Sequence, residues 1–251
     1  VIDDIDFGIT HVIRGEDHVT NAAVQIEITE ALGGKAPVYA HHSLLTGADG
    51  KGLSKRLGSL SIQGLRDQGL EAMAVVSHAA LLGTSESIHP CADYRELIDG
   101  FDLGKLSRAP ARFDEQELRH LNAKLLHGLP WAAVRERLPG ASEAIWAAIR
   151  GNIETLSDTK TWIDIITGDL KAVAGPDDAE YCNIARRLLP PEPWSLETWK
   201  QWTEALKAET GRKGKALFMP LRLALTGLDH GPELAQLLPL IGRQRALARL
   251  A

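Results

Sequence analysis

Cysteine is scarce in this sequence, which has two among 251 residues: Cys91 and Cys182. They lie far apart and lack C-x-x-C spacing, so neither a disulfide framework nor a cysteine-based zinc site is indicated, and a reducing compartment fits. Long apolar runs and a recognisable signal peptide are also missing. We therefore expect a cytoplasmic protein that has no association with a membrane.

An excess of positive charge is lacking as well. Lysine and arginine number 28 against 33 aspartates and glutamates, a formal net charge of −5. This balance argues against a uniformly basic nucleic-acid-binding surface and leaves local basic patches open. The 44% hydrophobic content is ordinary for a globular protein, and the length allows one large domain or two to three small ones.

A metal-ligand motif is absent from the nine histidines. His41 and His42 are adjacent on a predicted strand, so their side chains point to opposite faces. No H-E-x-x-H or comparable set occurs. We expect structural or surface histidines and no metal site.

The first residues, "VIDDIDFGITHVIRGED", begin with Val1 in place of methionine and are strand-like within the first few positions. An intact protein rarely begins inside an element. We therefore expect this chain to be the back portion of a longer protein.

A strand–helix–strand pattern follows. Residues 9–13 predict a buried strand, "EDHVTNAAVQIEITEALGG" predicts a helix with Thr20 or Asn21 as N-cap, and "PVYAHHSLL" predicts a second strand. In α/β sheets, ligand sites lie beyond the carboxyl ends of the strands. Residues 14–17 and 46–56 each follow a strand end, so we expect them to be neighbours at one site.

From Ile62 onwards the pattern is helical, and no convincing strand follows Phe113. "LEAMAVVSHAALLG" predicts a core helix closed by Gly83, and a helix after Asp114 carries an apolar side. Further helices joined by Pro/Gly turns fill the rest of the chain. The six tryptophans lie in this part, where helical spacing favours packing over stacking on exposed bases.

The segment "DGKGLSKRLGSLSI" combines glycines with Lys51, Lys55 and Arg56. A solvated β-turn explains such a segment, since D-G and K-G steps are common in hairpin loops. The alternative is a cationic loop that closes over a polyphosphate and neutralises charge on a leaving pyrophosphate. In this interpretation Ser54 donates a hydrogen bond and Lys55 supplies a compact charge. The Walker spacing is absent.

"VIRGEDH" places Arg14 at the end of an apolar strand, with a fork geometry suited to a carboxylate. Asp17 could accept a hydrogen bond from a ribose hydroxyl or an amine. Glu16 is better explained as an acid that complements the N-terminus of the next helix.

"TGRKGKALFMPLRLALTG" places Arg212, Lys213 and Lys215 on a glycine-rich joint, with Arg222 in the following helix. These cations either border a solvated loop or form a patch that contacts the phosphates of an RNA.

Four stretches, "THVIRGEDHVTNAAVQI", "DGKGLSKRLGSLSI", "LSRAPARFDEQELRHLN" and "GRKGKALFMPLRLALTG", resemble in this order successive landmarks of bacterial glutamyl-tRNA synthetases, which are class I enzymes. On this resemblance the K-M-S-K-S signature falls on residues 52–56, with Gly52 in place of its first lysine. The resemblance implies the following roles: catalysis by Lys55 and Ser54; ATP binding by Lys55, Arg56, Leu53, Leu44, Leu45, Asp17 and His18; glutamate binding by Arg14; tRNA binding by Arg212, Lys213, Lys215 and Arg222.

The implied fold is mostly α. A C-terminal remnant of a Rossmann-like α/β catalytic domain (1–62) is followed by a stem-contact helical region (63–122) and an all-helical anticodon-binding region (123–251). The resemblance also implies ATP with Mg²⁺, L-glutamate and tRNA(Glu) as partners, a monomer, and no zinc site in this portion. It leaves open whether tRNA(Gln) is charged too. The family's H-I-G-H-type signature is not found, so we expect the chain to be inactive alone.

Three alternatives remain in view. Glutaminyl-tRNA synthetase reads the anticodon with β-barrels, which the helical pattern disfavours. The short tRNA-modifying relative normally lacks an anticodon-binding region. A non-catalytic tRNA-binding paralogue is kept open by Gly52 and by the missing front half.

Overall fold

The computed structural model describes residues 1–47, 50, 61–107, 109–170 and 178–251. The chain divides into two compact units, 1–125 and 126–251. Over the described ranges, no helix combines the length and apolar composition needed to cross a membrane.

Unit 1 contains short strands and six helices among its described residues. Its strands are β1 (His11–Gly15), β2 (Val38–His42), β3 (Leu45–Thr46) and β4 (Ala111–Arg112). Its helices are α1 (Ile2–Asp6), α2 (Val19–Ala31), α3 (Ile62–Asp67), α4 (Ala72–Leu81), α5 (Tyr94–Gly100) and α6 (Glu115–Gly128), of which the last continues into unit 2.

β1 and β2 form a parallel pair joined by α2, which is the strand–helix–strand unit predicted from the sequence. The register runs from His11 opposite Val38 to Gly15 opposite His42. α2 lies on one face of this strand pair, where Arg14 of β1 donates a hydrogen bond to Gln25 of α2. The opposite face exposes Ile13 and Val38, at 57% and 62%. The prediction of a buried first strand is therefore wrong for that face.

Two further predictions, about the first residues and about the start of α2, are wrong. The first residues form α1 instead of a strand, because Asp3 and Asp4 in its first turn suit a helix N-terminus. α2 begins at Val19 with His18 as N-cap, since the 3₁₀ turn Glu16–His18 leads directly into it and neither Thr20 nor Asn21 is needed.

The second predicted strand is also interrupted. It divides at Ser43, after which β3 pairs in parallel with β4 instead of continuing β2. β4 was not predicted, because its two residues are too few to form an alternating pattern.

The helical part of unit 1 has its own small core. The apolar side predicted for α6 is confirmed by the burial of Leu118, Leu121 and Leu125. Buried Asn122 accepts a hydrogen bond from the Glu71 backbone N–H at 2.7 Å, which fixes the start of α4 against α6. Asp114 accepts from the Gln116 backbone N–H at 2.8 Å and so begins α6 as predicted.

Unit 2 contains helices and their connecting segments, and no strand among its described residues. Its helices are α7 (Trp131–Val134), α8 (Glu143–Ile149), α9 (Asp158–Thr167), α10 (Ala179–Leu188), α11 (Leu196–Thr210), α12 (Lys215–Thr226), α13 (Leu234–Ile241) and α14 (Arg243–Arg249). The predicted mostly helical fold class, an α/β remnant followed by helices, is confirmed.

The tryptophans pack in this unit as predicted. Trp146, Trp162 and Trp202 are at most 5% exposed, and the other three pack partly buried against the same core. A buried indole N–H needs an acceptor. Those of Trp146 and Trp202 donate to the backbone carbonyls of Leu129 and Ala185, each at 3.0 Å.

Arg249 is buried at 1% exposure and closes the ends of two helices. Its guanidinium donates to the carbonyl of Leu225 at 2.7 Å, of Ile165 at 2.5 Å and of Gly168 at 2.8 Å. Leu225 and Ile165 lie in the last turns of α12 and α9, whose carbonyls have no intrahelical donor. Burial lowers the pKa of Arg249 from its ordinary value.

We expect Arg249→Met to lower the free energy of unfolding by at least about 2 kcal/mol, because buried carbonyls without a donor each cost about 1–3 kcal/mol. Urea denaturation followed by circular dichroism measures this change. Arg245→Met is the matched control, since Arg245 lies on the same helix and is exposed. Equal stability of the two variants would contradict the assigned role.

Candidate functional site

Arg14 lies at the carboxyl end of β1 and is held from two sides. Its Nη2 donates to Gln25 Oε1 at 2.7 Å, and its guanidinium carbon lies 5.0 Å from the centre of the Tyr39 ring. The side chain is therefore fixed in direction by α2 and β2. A pre-oriented guanidinium is suited to bind a planar anion such as a carboxylate.

Two buried nitrogens beside each other have no hydrogen-bond partner among the described residues. They are Arg14 Nε and His41 Nε2. Arg14 and His41 are register partners, so their side chains share one face of the strand pair. Buried polar atoms are normally satisfied, and two orphans at paired positions fit an acceptor-rich ligand. His41 was not predicted, because its position opposite Arg14 depends on the register of the strands.

Gly15 allows a close approach between the segments that follow β1 and β2. A Cβ at this position would lie 2.5 Å from Asp17 Oδ1 and 3.0 Å from Leu44 Cδ2. Glu16 accepts from the Leu44 backbone N–H at 3.5 Å across the same gap. The structure thus brings together Asp17 and Leu44, which were predicted to border one ligand.

Leu44 and Leu45 also line a cavity of about 390 Å³. Its remaining wall comes from β2, from the end of α4 and from the segment before β4, including Ala79, Ala80, Gly83 and Ser107. None of the four was predicted as a site residue: Ala79, Ala80 and Gly83 lie outside the four landmark stretches, and Ser107 lies in the third, to which no role was assigned. Most of the lining is apolar, which suits a flat ring such as a nucleobase.

His18 lies at the entrance to α2 and is exposed. Its Nε2 is 3.7 Å from Asp17 Oδ2, and its Nδ1 is 3.1 Å from Asn21 Nδ2. The predicted loop residues Leu53, Ser54, Lys55 and Arg56 lie outside the described residues. Their roles stay predictions, as do those of Arg14, Asp17, His18, Leu44 and Leu45.

Arg212 in unit 2 is engaged within the fold. Its Nη1 pairs with Asp178 at 2.6 Å, and its guanidinium carbon lies 4.4 Å from the centre of the Tyr181 ring. Pro220 in α12 has no N–H to offer the Ala216 carbonyl, which instead receives Arg212 Nη1 at 3.5 Å. Tyr181 donates to the Leu217 carbonyl, and burial raises its pKa to about 12.

The other three predicted tRNA contacts differ in exposure. Arg222 is half-buried and donates from Nη2 to the Pro232 carbonyl at 3.0 Å, and burial lowers its pKa. Lys213 and Lys215 are exposed at the start of α12. Of this group, the two lysines are the ones whose charges face solvent.

Two family models account for the chain from end to end. The model for tRNA synthetases class I (E and Q), catalytic domain, matches residues 1–120. The anticodon binding domain model matches residues 121–251, which is more than half of the chain. The chain belongs to the class I tRNA synthetases (E and Q). The resemblance seen in four sequence stretches is confirmed.

Curated relatives of this synthetase chain are named glutamate–tRNA ligase. One from Methylobacterium sp. strain 4-46 is 57% identical, and one from Methylorubrum populi is 54% identical. Each alignment covers all of this chain and 57% of the relative. The chain therefore spans a little over half the length of these relatives and corresponds to a C-terminal portion of them.

A solved structure supports the same assignment. A glutamate tRNA ligase from Elizabethkingia meningosepticum, crystallised in complex with its amino acid, matches with a TM-score of 0.82 at 25% identity. The match covers 99% of this synthetase chain and 57% of the solved one.

We expect Gly15→Ala to cost the synthetase chain about 0.5–1 kcal/mol relative to Gly100→Ala, because the added Cβ meets the ends of the Asp17 and Leu44 side chains, which must shift away. The backbone of Gly15 (φ −66°, ψ 150°) suits alanine, so the effect isolates the clash with Asp17 and Leu44. Gly100→Ala is the control, because an added Cβ there meets nothing within 4 Å. The measurement is urea denaturation; a loss no larger than in the control would show that the two segments do not pack over Gly15.

Proposed function

We propose that this chain is part of a glutamate–tRNA ligase that attaches L-glutamate to tRNA(Glu) through glutamyl-adenylate, with ATP·Mg²⁺ as the second substrate. The observation that carries the proposal is the pair of unpartnered buried nitrogens, Arg14 Nε and His41 Nε2, at the carboxyl ends of β1 and β2. An amino acid with two carboxylates supplies the acceptors that this position lacks.

In the proposed reaction, the α-carboxylate oxygen of glutamate attacks the α-phosphorus of ATP, and the P–O bond to pyrophosphate breaks. A hydroxyl of the terminal tRNA ribose then attacks the carbonyl carbon, and AMP leaves. Both steps depend on positioning and charge stabilisation and need no covalent nucleophile on the protein. Arg14 orients glutamate, Lys55 neutralises charge on the departing pyrophosphate, and Ser54 donates a hydrogen bond to it.

The cavity beside Leu44 and Leu45 is the proposed position of the adenine ring. Its apolar lining supports this assignment. Asp17, which approaches Leu44 at Gly15, is proposed to accept hydrogen bonds from the ribose hydroxyls. Arg56, Leu53 and His18 complete the proposed ATP contacts. We also propose that the enzyme is cytoplasmic and monomeric, following the family resemblance.

The chain alone is proposed to be inactive. Parallel sheets normally have both faces covered, whereas Ile13 and Val38 are exposed on the outer face of β1 and β2. Val24 and Ile28 of α2, and Leu32 directly after it, are exposed too, at 45–57%. We propose that the part of the synthetase that this chain does not span covers these surfaces and completes the ATP site.

We expect the chain alone to give no glutamate-dependent ATP–pyrophosphate exchange, and the same chain joined to its upstream coding sequence to give exchange and tRNA(Glu) charging. The joined protein with Arg14→Gln is expected to lose glutamate affinity while folding normally. Exchange by the chain alone would overturn the proposed inactivity. Inactivity of the joined protein would favour a non-catalytic tRNA-binding paralogue.

Lys213 and Lys215 are the proposed phosphate contacts of unit 2, because their charges are exposed while Arg212 and Arg222 make contacts inside the fold. Arg212 and Arg222 are proposed to support this surface. They do so by fixing Asp178, Tyr181 and Pro232 around α12.

We expect Lys213→Gln and Lys215→Gln each to reduce the slope of log affinity for tRNA(Glu) against log salt by about 1, since each phosphate contact releases about one counterion. Lys160→Gln removes the same charge from an exposed position on α9 and serves as control. Filter binding at several salt concentrations, with an unrelated tRNA alongside, gives the slopes. Slopes identical to that of the unchanged chain would reject both lysines as contacts.

A further inference from the structure

Three potential metal ligands meet in unit 1, outside the candidate site. One ligand atom each of His89, Cys91 and Glu96 lies within 4.8 Å of the other two. His89 and Cys91 belong to the segment before α5, and Glu96 lies in its first turn. The sequence predicted no metal site, because H-x-C-x₄-E is not a recognised ligand spacing.

The hydrogen bonding of His89 determines which nitrogen faces the cluster. Its Nδ1 lies 2.9 Å from the Ser87 carbonyl oxygen, which can only accept, so Nδ1 carries a proton. Nε2 is then the ring nitrogen that faces Glu96 Oε1, 3.4 Å away. Two acceptors at this distance repel each other unless a cation or proton lies between them. A backbone carbonyl on the opposite ring nitrogen is also the usual support of a metal-binding histidine.

Cys91 is held in place by α4. Its backbone N–H donates to Ser77 Oγ at 3.1 Å, and Ser77 Oγ in turn donates to the Met73 carbonyl at 2.6 Å. Cys91 is fully buried, and burial raises the pKa of its thiol, with Glu96 also raising it. Metal ions bind the thiolate form of cysteine, so binding at this sulfur would release the thiol proton.

We propose that His89 Nε2, Cys91 Sγ and a Glu96 carboxylate oxygen form a site for one zinc-class divalent ion. This mixed sulfur, nitrogen and oxygen set matches the ligands that Zn²⁺ accepts, and three protein ligands leave a fourth tetrahedral position for water. Neighbouring ligand atoms around Zn²⁺ lie about 3.4–3.8 Å apart. The cluster, at up to 4.8 Å, needs a contraction of about 1 Å by side-chain rotation.

His89, Cys91 and Glu96 help to line a cavity of about 340 Å³, which gives room for a water molecule at the fourth coordination position of the proposed ion. Glu86 and Lys105 on its wall pair with each other at 2.7 Å, so Lys105 does not neutralise Glu96. The ion would join the segment before α5 to α5 itself, and it takes no part in the proposed reaction. This inference does not rest on the proposed function.

The test is titration of the tag-free chain with Co²⁺, followed by competition with Zn²⁺. A thiolate-ligated tetrahedral Co²⁺ gives a sulfur-to-metal charge-transfer band and intense visible bands. We expect one ion per chain, and a loss of affinity of more than about 10-fold in Cys91→Ser, as expected for removal of a direct ligand. Cys182→Ser is the matched control, because Cys182 is also buried with a raised thiol pKa and lies in unit 2.

Glu96→Gln keeps the proposal testable if Cys91→Ser does not fold, since Glu96 is exposed and its loss leaves the core unchanged. Zn²⁺ should raise the melting temperature of the unchanged chain and of Cys182→Ser, and should raise it less in Glu96→Gln. Absence of the charge-transfer band would overturn the proposal. Retention of that band in Cys91→Ser, or its loss in Cys182→Ser, would do the same.

Discussion

Parallel pairing of β1 with β2 forces the residues that follow the two strands to the same edge, and the candidate site depends on that constraint. The register places Arg14 beside His41, and Gly15 then lets Asp17 and Leu44 approach across the gap. Both strands need the crossover helix α2 between them, and α2 returns Gln25 to the Arg14 guanidinium. One pairing therefore sets the direction of the arginine and the position of the two segments around it.

The sequence was most informative where local chemistry decides the structure. The apolar side of α6, its start at Asp114 and the packing of the tryptophans follow from periodicity and burial, and the structure agrees. Boundaries near 3₁₀ turns and two-residue strands were missed, because such elements offer no period to detect. The burial of β1 was wrongly predicted for one face. An apolar strand sequence indicates that the strand favours burial, but it does not identify the element that packs against each face.

Side-chain roles were harder to predict than elements. Arg212 and Lys213 are sequence neighbours of the same charge, yet Arg212 is taken up by Asp178 and Tyr181 while Lys213 faces solvent. Arg212 is held by Asp178, which lies 34 positions earlier, and by the Ala216 carbonyl, which Pro220 leaves without a hydrogen-bond donor. His41 and the trio at His89 show the same limit. The significance of His41 lies in a nitrogen without a partner, and that of the trio lies in the proximity of three ligand atoms. Only the tertiary fold determines either.

The buried Arg249 has a consequence for the order in which unit 2 assembles. Its partners lie 84 and 24 positions earlier in the chain, at the ends of α9 and α12. During synthesis those two helices are made before α14, and until then their last carbonyls can accept hydrogen bonds only from water. The bridge that Arg249 makes between the ends of α9 and α12 can form only after α14 has been synthesised. The ends of α9 and α12 thus depend on a long-range contact that is among the last to become available as the described chain is made.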